Sequence, residues 1–84
     1  MKIRKKPIIT EAMQFLDSNH DIVAKWCNGL VYNRADNLEP SIQIMTLEGI
    51  RTARVGDYII KGSNGEFYPV APLNFLKNYE VIEE

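Results

Sequence analysis

The stretch VGDYIIKGSNGEFYP, residues 55 to 69, constrains the fold of this chain more than any other. Gly56-Asp57 interrupts the strand-like residues before it. Glycine admits positive φ and an aspartate carboxylate accepts hydrogen bonds from nearby backbone N–H groups, so the pair forms a turn that launches a strand. Ser63-Asn64-Gly65 is a second turn signal, and YIIKG and EFYPV on either side of it read as a hairpin. Strand alternation places Tyr58 and Ile60 on one face and Ile59 and Lys61 on the other, and it separates Phe67 from Tyr68. One aromatic of each pair is expected to be core.

Upstream of this hairpin lies a second. SIQIMTL alternates Ile42, Ile44 and Thr46 on one face, Glu48-Gly49 turns the chain, and IRTARV alternates Ile50, Thr52 and Arg54 against Arg51, Ala53 and Val55. LVYNR is a short strand candidate followed by a polar loop through Pro40. Residues 8–16, IITEAMQFL, read as a strand with Ile9, Met13 and Phe15 facing one way and Thr10, Ala12 and Gln14 the other, entered through Pro7. A helix over Glu11–Leu16 stays open, because Ala, Met, Gln and Leu are good helix formers.

Two short helices complete the pattern. In DSNHDIVAKWCNG, Asp17 or Ser18 can cap the first N–H groups and Asp21 adds a negative charge to the first turn. Ile22, Val23 and Trp26 make an apolar face, and Asn28-Gly29 supplies residues that tolerate the left-handed conformation at a helix end. APLNFLKNYEVIEE starts a helix at Pro72, with Leu73, Phe75, Leu76 and Tyr79 as its buried face and Glu80-Val81-Ile82 as a candidate last strand. The class is α+β: a small, strongly bent antiparallel sheet or open barrel with two short helices.

A chain of 84 residues makes one domain, residues 1–84, with one thin core. A composition 45% hydrophobic and 25% charged excludes a disordered chain. A net charge of −1 argues against strong nucleic-acid binding, and no sequence-specific nucleic-acid partner is expected. No apolar run reaches the length that spans a bilayer, so no membrane partner is expected either. MKIRKKPII is basic but meets Thr10, Glu11 and Gln14 instead of an apolar core; it makes a poor signal peptide, and a cytoplasmic location is the default. Lys2, Arg4, Lys5 and Lys6 crowd one end, and Glu80, Glu83 and Glu84 the other. These read as solvated ends or as edge strands paired by opposite charge.

Catalytic chemistry is thin. His20 is the single histidine and Cys27 the single cysteine. Seven residues separate them, about 10.5 Å along a helix, too far for a nucleophile–base pair. One His and one Cys leave a transition-metal site to carboxylates, none of which shows ligand spacing. KGSNGE lacks the Lys-Ser/Thr ending and the following helix of a phosphate loop. Asp57 and Glu66 flank turns, where carboxylates commonly serve the backbone. The chain is therefore expected not to be an enzyme and to use no cofactor. Binding chemistry is better supplied: Arg51, Arg54 and Lys61 lie on adjacent hairpins with Tyr58, Phe67 and Tyr68 between them. Cations beside aromatics suit a ligand with phosphates and stackable bases.

Three blocks, IRKKPIITEAMQF, MTLEGIRTARVGDYIIKGSNGEFYPV and PLNFLKNYE, carry a resemblance. In order and spacing they resemble a widespread group of short phage and prophage proteins: Lys-Pro, a Glu-Ala strand, Thr-Leu-Glu-Gly, Gly-Asp-Tyr, Gly-Glu-Phe-Tyr-Pro and a Phe/Tyr helix. Residues 17–41 lie outside it. The resemblance implies a phage or prophage origin and a β-rich fold with the Gly-Asp turn. Some families of such proteins are immune-evasion sponges, which sequester cyclic nucleotide signals of bacterial defence without cleaving them. As a sponge of this anti-CBASS type, the chain would meet phosphates with Arg51, Arg54 and Lys61. Tyr68 and Trp26 would stack on bases, and Thr46 and Asn64 would bond base edges. It would be a homo-oligomer, being too small to enclose two or three nucleotides alone. The alternatives are a module that occupies a host protein and a minor virion component.

Overall fold

The computed structural model describes residues 1–3, 9–33 and 39–82. Its strands form two three-stranded antiparallel sheets instead of one bent sheet, and they do not close into a barrel. Sheet A holds β1 (Glu11–Gln14), β5 (Tyr58–Lys61) and β6 (Phe67–Val70), with β5 in the middle. Sheet B holds β2 (Leu30–Tyr32), β3 (Ser41–Thr46) and β4 (Gly49–Arg54), with β3 in the middle. Helix α1 (His20–Cys27) follows a short 3-10 turn, and α2 (Pro72–Asn78) follows β6. The architecture is α+β.

Sheet B follows the alternation of its sequence. Ile42 and Ile44 are buried, while Gln43 and Met45 face outward. The register sets Ile42 between Val31 and Ala53, and Ile44 opposite Arg51. Sheet A is arranged differently, because its central strand is covered on both sides: Ile59 and Ile60 are both fully buried. Ile59 faces the main core with Met13 and Pro69 beside it in register. Ile60 lies between Ala12 and Tyr68 on the other face, the face on which Tyr58 meets Phe75 of α2.

The main core gathers Phe15, Val23, Ala24, Cys27, Ile42, Ile44, Ala53 and Ile59, so α1 and both sheets close on one apolar volume. The buried stripe of α1 is Val23, Ala24 and Cys27, while the expected Ile22 is exposed and Trp26 is half-buried. Asp17 and Ser18 make no capping bond to the helix start. Asn19 does related work instead, accepting the Leu16 N–H at 2.7 Å and donating to the Gln14 carbonyl at 2.9 Å. On α2 only Phe75 is buried; Leu73 and Leu76 face solvent, and Tyr79 lies at the margin of exposure. Residues 79–82 form no strand. The proposed pairing of basic and acidic ends falls largely on residues 4–8 and 83–84, outside the described residues.

The Gly56-Asp57 turn is the corner where the chain leaves sheet B and enters sheet A. Gly56 has φ 101°, which a side chain would strain. The Asp57 carboxylate accepts the Arg54 N–H at 2.9 Å, and the Asp57 N–H donates to the Arg54 carbonyl at 2.9 Å. Two further bonds tie this corner to the end of β1: Phe15 N–H to Asp57 O at 2.8 Å, and Gly56 N–H to Phe15 O at 2.7 Å. The turn thus fixes the junction of the two sheets. Asn28, at φ 56°, ends α1 in the expected left-handed conformation.

Two glycines serve close packing, with opposite tolerance. A Cβ on Gly29 would strike the Ile42 side chain, and Cys27 Sγ and the Gln43 carbonyl stand 3.1 Å away. Ile42 is fully buried and has no room to retreat. Gly29→Ala is therefore expected to cost about 1–3 kcal/mol, the usual range for overpacking. A Cβ on Gly62 would meet the Glu66 carboxylate, the end of a flexible side chain that can swing into water by giving up its exposed bond to the Asn64 N–H. Gly62→Ala is expected to stay within about 0.5 kcal/mol of the parent, as surface changes do. Thermal melts of the two variants check the order, and equal midpoints would mean that Ile42 repacks freely.

Candidate functional site

Lys61 closes β5, and its register partners are Glu11 on β1 and Phe67 on β6. Residues directly opposite in an antiparallel sheet share a face, so a carboxylate, an ammonium and an aromatic ring stand in one row. Trp26 of α1 completes the corner, meeting Phe67 with ring centroids 5.1 Å apart at 73°, edge to face. Lys61, Phe67 and Trp26 are all half-buried. Partial burial of this kind is usual for a long amphipathic side chain at a core margin. Such a corner offers one cation, one carboxylate and two braced rings.

The other residues expected to share a site are placed elsewhere, for one reason. Residues an odd number apart on a strand point to opposite faces. Arg51 and Arg54 therefore flank β4. Arg51 lies on the inner side opposite Ile44, near the hairpin end, and pairs with Glu48 at 3.6 Å. Arg54 lies on the outer face, opposite Ser41. Lys61 and Tyr68 are likewise on opposite faces of sheet A. Thr46 and Asn64 serve turns: Thr46 Oγ1 donates to the Gly49 carbonyl at 2.6 Å and accepts the Glu48 N–H at 3.2 Å. The Asn64 N–H donates to Glu66 Oε1 at 3.2 Å. Of the expected set, the structure brings together Lys61 and Trp26 alone, through Phe67. The register of the β5–β6 hairpin was the signal for Phe67, since a turn centred on Ser63-Asn64-Gly65 sets it opposite Lys61.

A second aromatic group lies on the far side of sheet A. Phe75 stacks between Tyr58, at 3.7 Å and 4°, and Tyr79, at 5.2 Å and 13°. The Tyr68 and Tyr79 hydroxyls are 3.5 Å apart. That hydrogen bond, helped by burial and by the charges of Tyr79 and Glu66, pushes the Tyr68 phenol up to about 12 from 10.0. A raised folded-state value stabilises the neutral form. Its contribution is full below pH 10 and is lost as pH rises through about 12. This group holds α2 on the sheet.

The reactive side chains are engaged or enclosed. His20 Nδ1 lies 2.8 Å from the Asp17 carbonyl, and Nε2 lies 3.0 Å from the Asp21 carboxylate. Cys27 is buried, and burial pushes its thiol upward, away from the thiolate that a nucleophile needs. Among the described residues, no group of three or more His, Cys, Asp or Glu could hold a metal ion. No described helix is long and apolar enough to cross a membrane. No family model matches the chain, and the curated proteins and solved structures give no significant match.

Proposed function

We propose that this protein is a non-catalytic binding protein that sequesters a cyclic oligonucleotide signal, with the Trp26–Phe67–Lys61 corner as its point of contact. The observation that carries the reading is the row itself: a half-buried cation beside a ring braced edge-on by a tryptophan. A phosphate suits the ammonium, and a base suits the exposed part of either ring. The resemblance to short phage proteins supports the same direction, as do a bonded His20 and a buried Cys27. In this reading the protein is phage-encoded, acts in the host cytoplasm and protects the phage from a defence signal.

Thermal unfolding against a panel of cyclic di- and trinucleotides and cyclic ADP-ribose isomers tests the proposal. A ligand at about 1,000 times its Kd adds roughly 4 kcal/mol. Each kcal/mol moves the midpoint of a small domain by about 4–8 °C. One ligand is expected to raise the midpoint strongly, and Lys61→Ala to abolish the shift without lowering the unliganded melt. A flat panel sinks the proposal.

One observation favours a second reading, a module that occupies a host protein. Leu73 and Leu76 of α2 are 74% and 70% exposed and, three residues apart, share one side of the helix. Anchors spaced in this way suit an apolar groove on a partner. Capture of one host protein, lost in Leu73→Asp/Leu76→Asp, would replace the first reading.

A further inference from the structure

We propose that Asn64 is a site of spontaneous backbone modification, at which the hairpin tip of sheet A converts asparagine to aspartate and isoaspartate while the chemically identical Asn28 stays intact. This goes beyond the ligand reading and does not depend on it. The chain holds two Asn-Gly pairs, Asn28-Gly29 and Asn64-Gly65. Asparagine is among the thermolabile residues, and a glycine after it leaves the attacking nitrogen unshielded. In the reaction the Gly65 backbone nitrogen bonds to the Asn64 side-chain carbonyl carbon. The bond from that carbon to its amide nitrogen breaks, and ammonia leaves with the Gly65 proton. Water then opens the cyclic imide at either carbonyl and yields aspartate or isoaspartate. Water is the one co-reactant, and nothing is oxidised or reduced.

Exposure does not separate the two pairs, because both asparagines are exposed. Backbone geometry does. Asn28 is the left-handed cap of α1, at φ 56° and ψ 34°. Ring closure brings the glycine nitrogen to the Cβ side of the asparagine, and this ψ holds it away. The Asn28 N–H is engaged by the Ala24 and Lys25 carbonyls, and the Gly29 N–H donates to the Ala24 carbonyl at 2.9 Å. Gly29 is also wedged, since the Ile42 side chain, Cys27 Sγ and the Gln43 carbonyl crowd the place of a Cβ. A reactive shape at Asn28 therefore uncaps the helix and disturbs the fully buried Ile42.

Asn64 is placed the other way. Residues 63–65 form an exposed turn, and Gly65 has φ 83° with nothing within 4 Å of the place of a Cβ. One backbone bond holds the attacking nitrogen, from the Gly65 N–H to the Gly62 carbonyl at 3.0 Å. Asn64 itself is held through its N–H by the exposed Glu66 carboxylate bond, and its side-chain amide makes no hydrogen bond among the described residues. Opening this tip moves no buried side chain. Exposed turns open at low cost, whereas the α1 cap opens only together with packed core. The product also matters to the fold: isoaspartate adds a methylene to the backbone of the turn that sets Phe67 opposite Lys61.

Incubation of the purified, ligand-free protein at neutral and at alkaline pH, followed by peptide mapping, tests the proposal. Trypsin cleavage after Lys25 and Lys61 puts Asn28 and Asn64 on separate peptides. Mass spectrometry reads the amide-to-acid change on each, and an isoaspartyl methyltransferase reads isoaspartate. In the folded protein Asn64 is expected to convert at least ~10-fold faster than Asn28. Its rate should rise with pH, because the attacking nitrogen must lose its proton. In denaturant the two rates should converge, which shows that the fold sets the difference. Asn64→Gln should remove the acidic species that accumulates on isoelectric focusing. Equal rates in the folded protein, or Asn28 converting first, overturn the proposal. So does a folded protein that keeps Asn64 intact while the denatured chain converts, because the tip then stays closed. Since no nucleotide is present, a flat ligand panel and an unmodified Asn64 are separate results.

Discussion

Ile59→Ala is expected to lower the thermal midpoint by more than about 10 °C, among the largest effects of any single truncation here. Ile59 is fully buried at the centre of the middle strand of sheet A, where it packs into the core shared by α1 and sheet B. Removing an isoleucine from such a site costs about 2–5 kcal/mol, from lost transfer energy and the cavity left behind. A single-core domain this small holds little more than that in total. Ile60→Ala makes the informative control. It has the same chemistry and almost the same burial one residue along, yet it lies outside the main core, on the face where Tyr58 meets Phe75 of α2. Ile59→Ala should loosen the whole molecule, so that far-UV and near-UV circular dichroism melt together at a lower temperature. Ile60→Ala should loosen α2 first and separate the two signals. An Ile59→Ala midpoint within about 3 °C of the parent would mean that the core does not close around this residue.

That two-sided burial also shows how far the sequence could be read. Where one face of a hairpin is wet, alternation reports it: Ile42 and Ile44 were legible as sharing one face, which the structure buries, and the Gly49, Gly56 and Gly65 turns as turns. Where both faces are covered, alternation falls silent. Ile59-Ile60 offers no period, and nothing in YIIK says that a helix twelve residues downstream covers one side. The division into two sheets was illegible for a different reason. It rests on Glu11–Gln14 pairing with Tyr58–Lys61. A partner more than forty residues away leaves no local trace in either strand. On α1, Ile22 with Trp26 and Val23 with Cys27 are both stripes at helical spacing. The structure buries Val23, Ala24 and Cys27, small side chains that let the helix approach sheet B closely. The binding set fared as alternation dictates: the odd spacing of Arg51 and Arg54 already separates them, whereas the contact of Trp26 with Phe67 depends on where α1 lands.

Phe75→Ala is the other large effect expected, and its reach identifies what α2 does. The helix has only seven residues, too short to persist by backbone hydrogen bonding alone. Among the described residues it buries Phe75 alone. That ring lies 3.7 Å from Tyr58 and 5.2 Å from Tyr79, so truncation removes the stack as well as the buried area. Phe→Ala in a core costs about 3–5 kcal/mol, of which stacked partners supply roughly 0.5–1.5 kcal/mol each beyond area. The expected result is a helix that leaves the sheet while the main core, which contains neither Phe75 nor Ile60, remains closed. Three readouts should move together: helical circular dichroism falls, Ile60 becomes accessible, and Tyr68 loses its bond to Tyr79. The last is visible in an alkaline absorbance titration, since Tyr68 ionises near 12 while that bond holds and should ionise earlier once it is gone. Tyr79→Phe should reproduce the earlier ionisation while keeping the helix in place, because it deletes the hydroxyl and leaves the ring on Phe75. If Phe75→Ala leaves both the helix signal and the Tyr68 titration unchanged, α2 is held by something other than this stack.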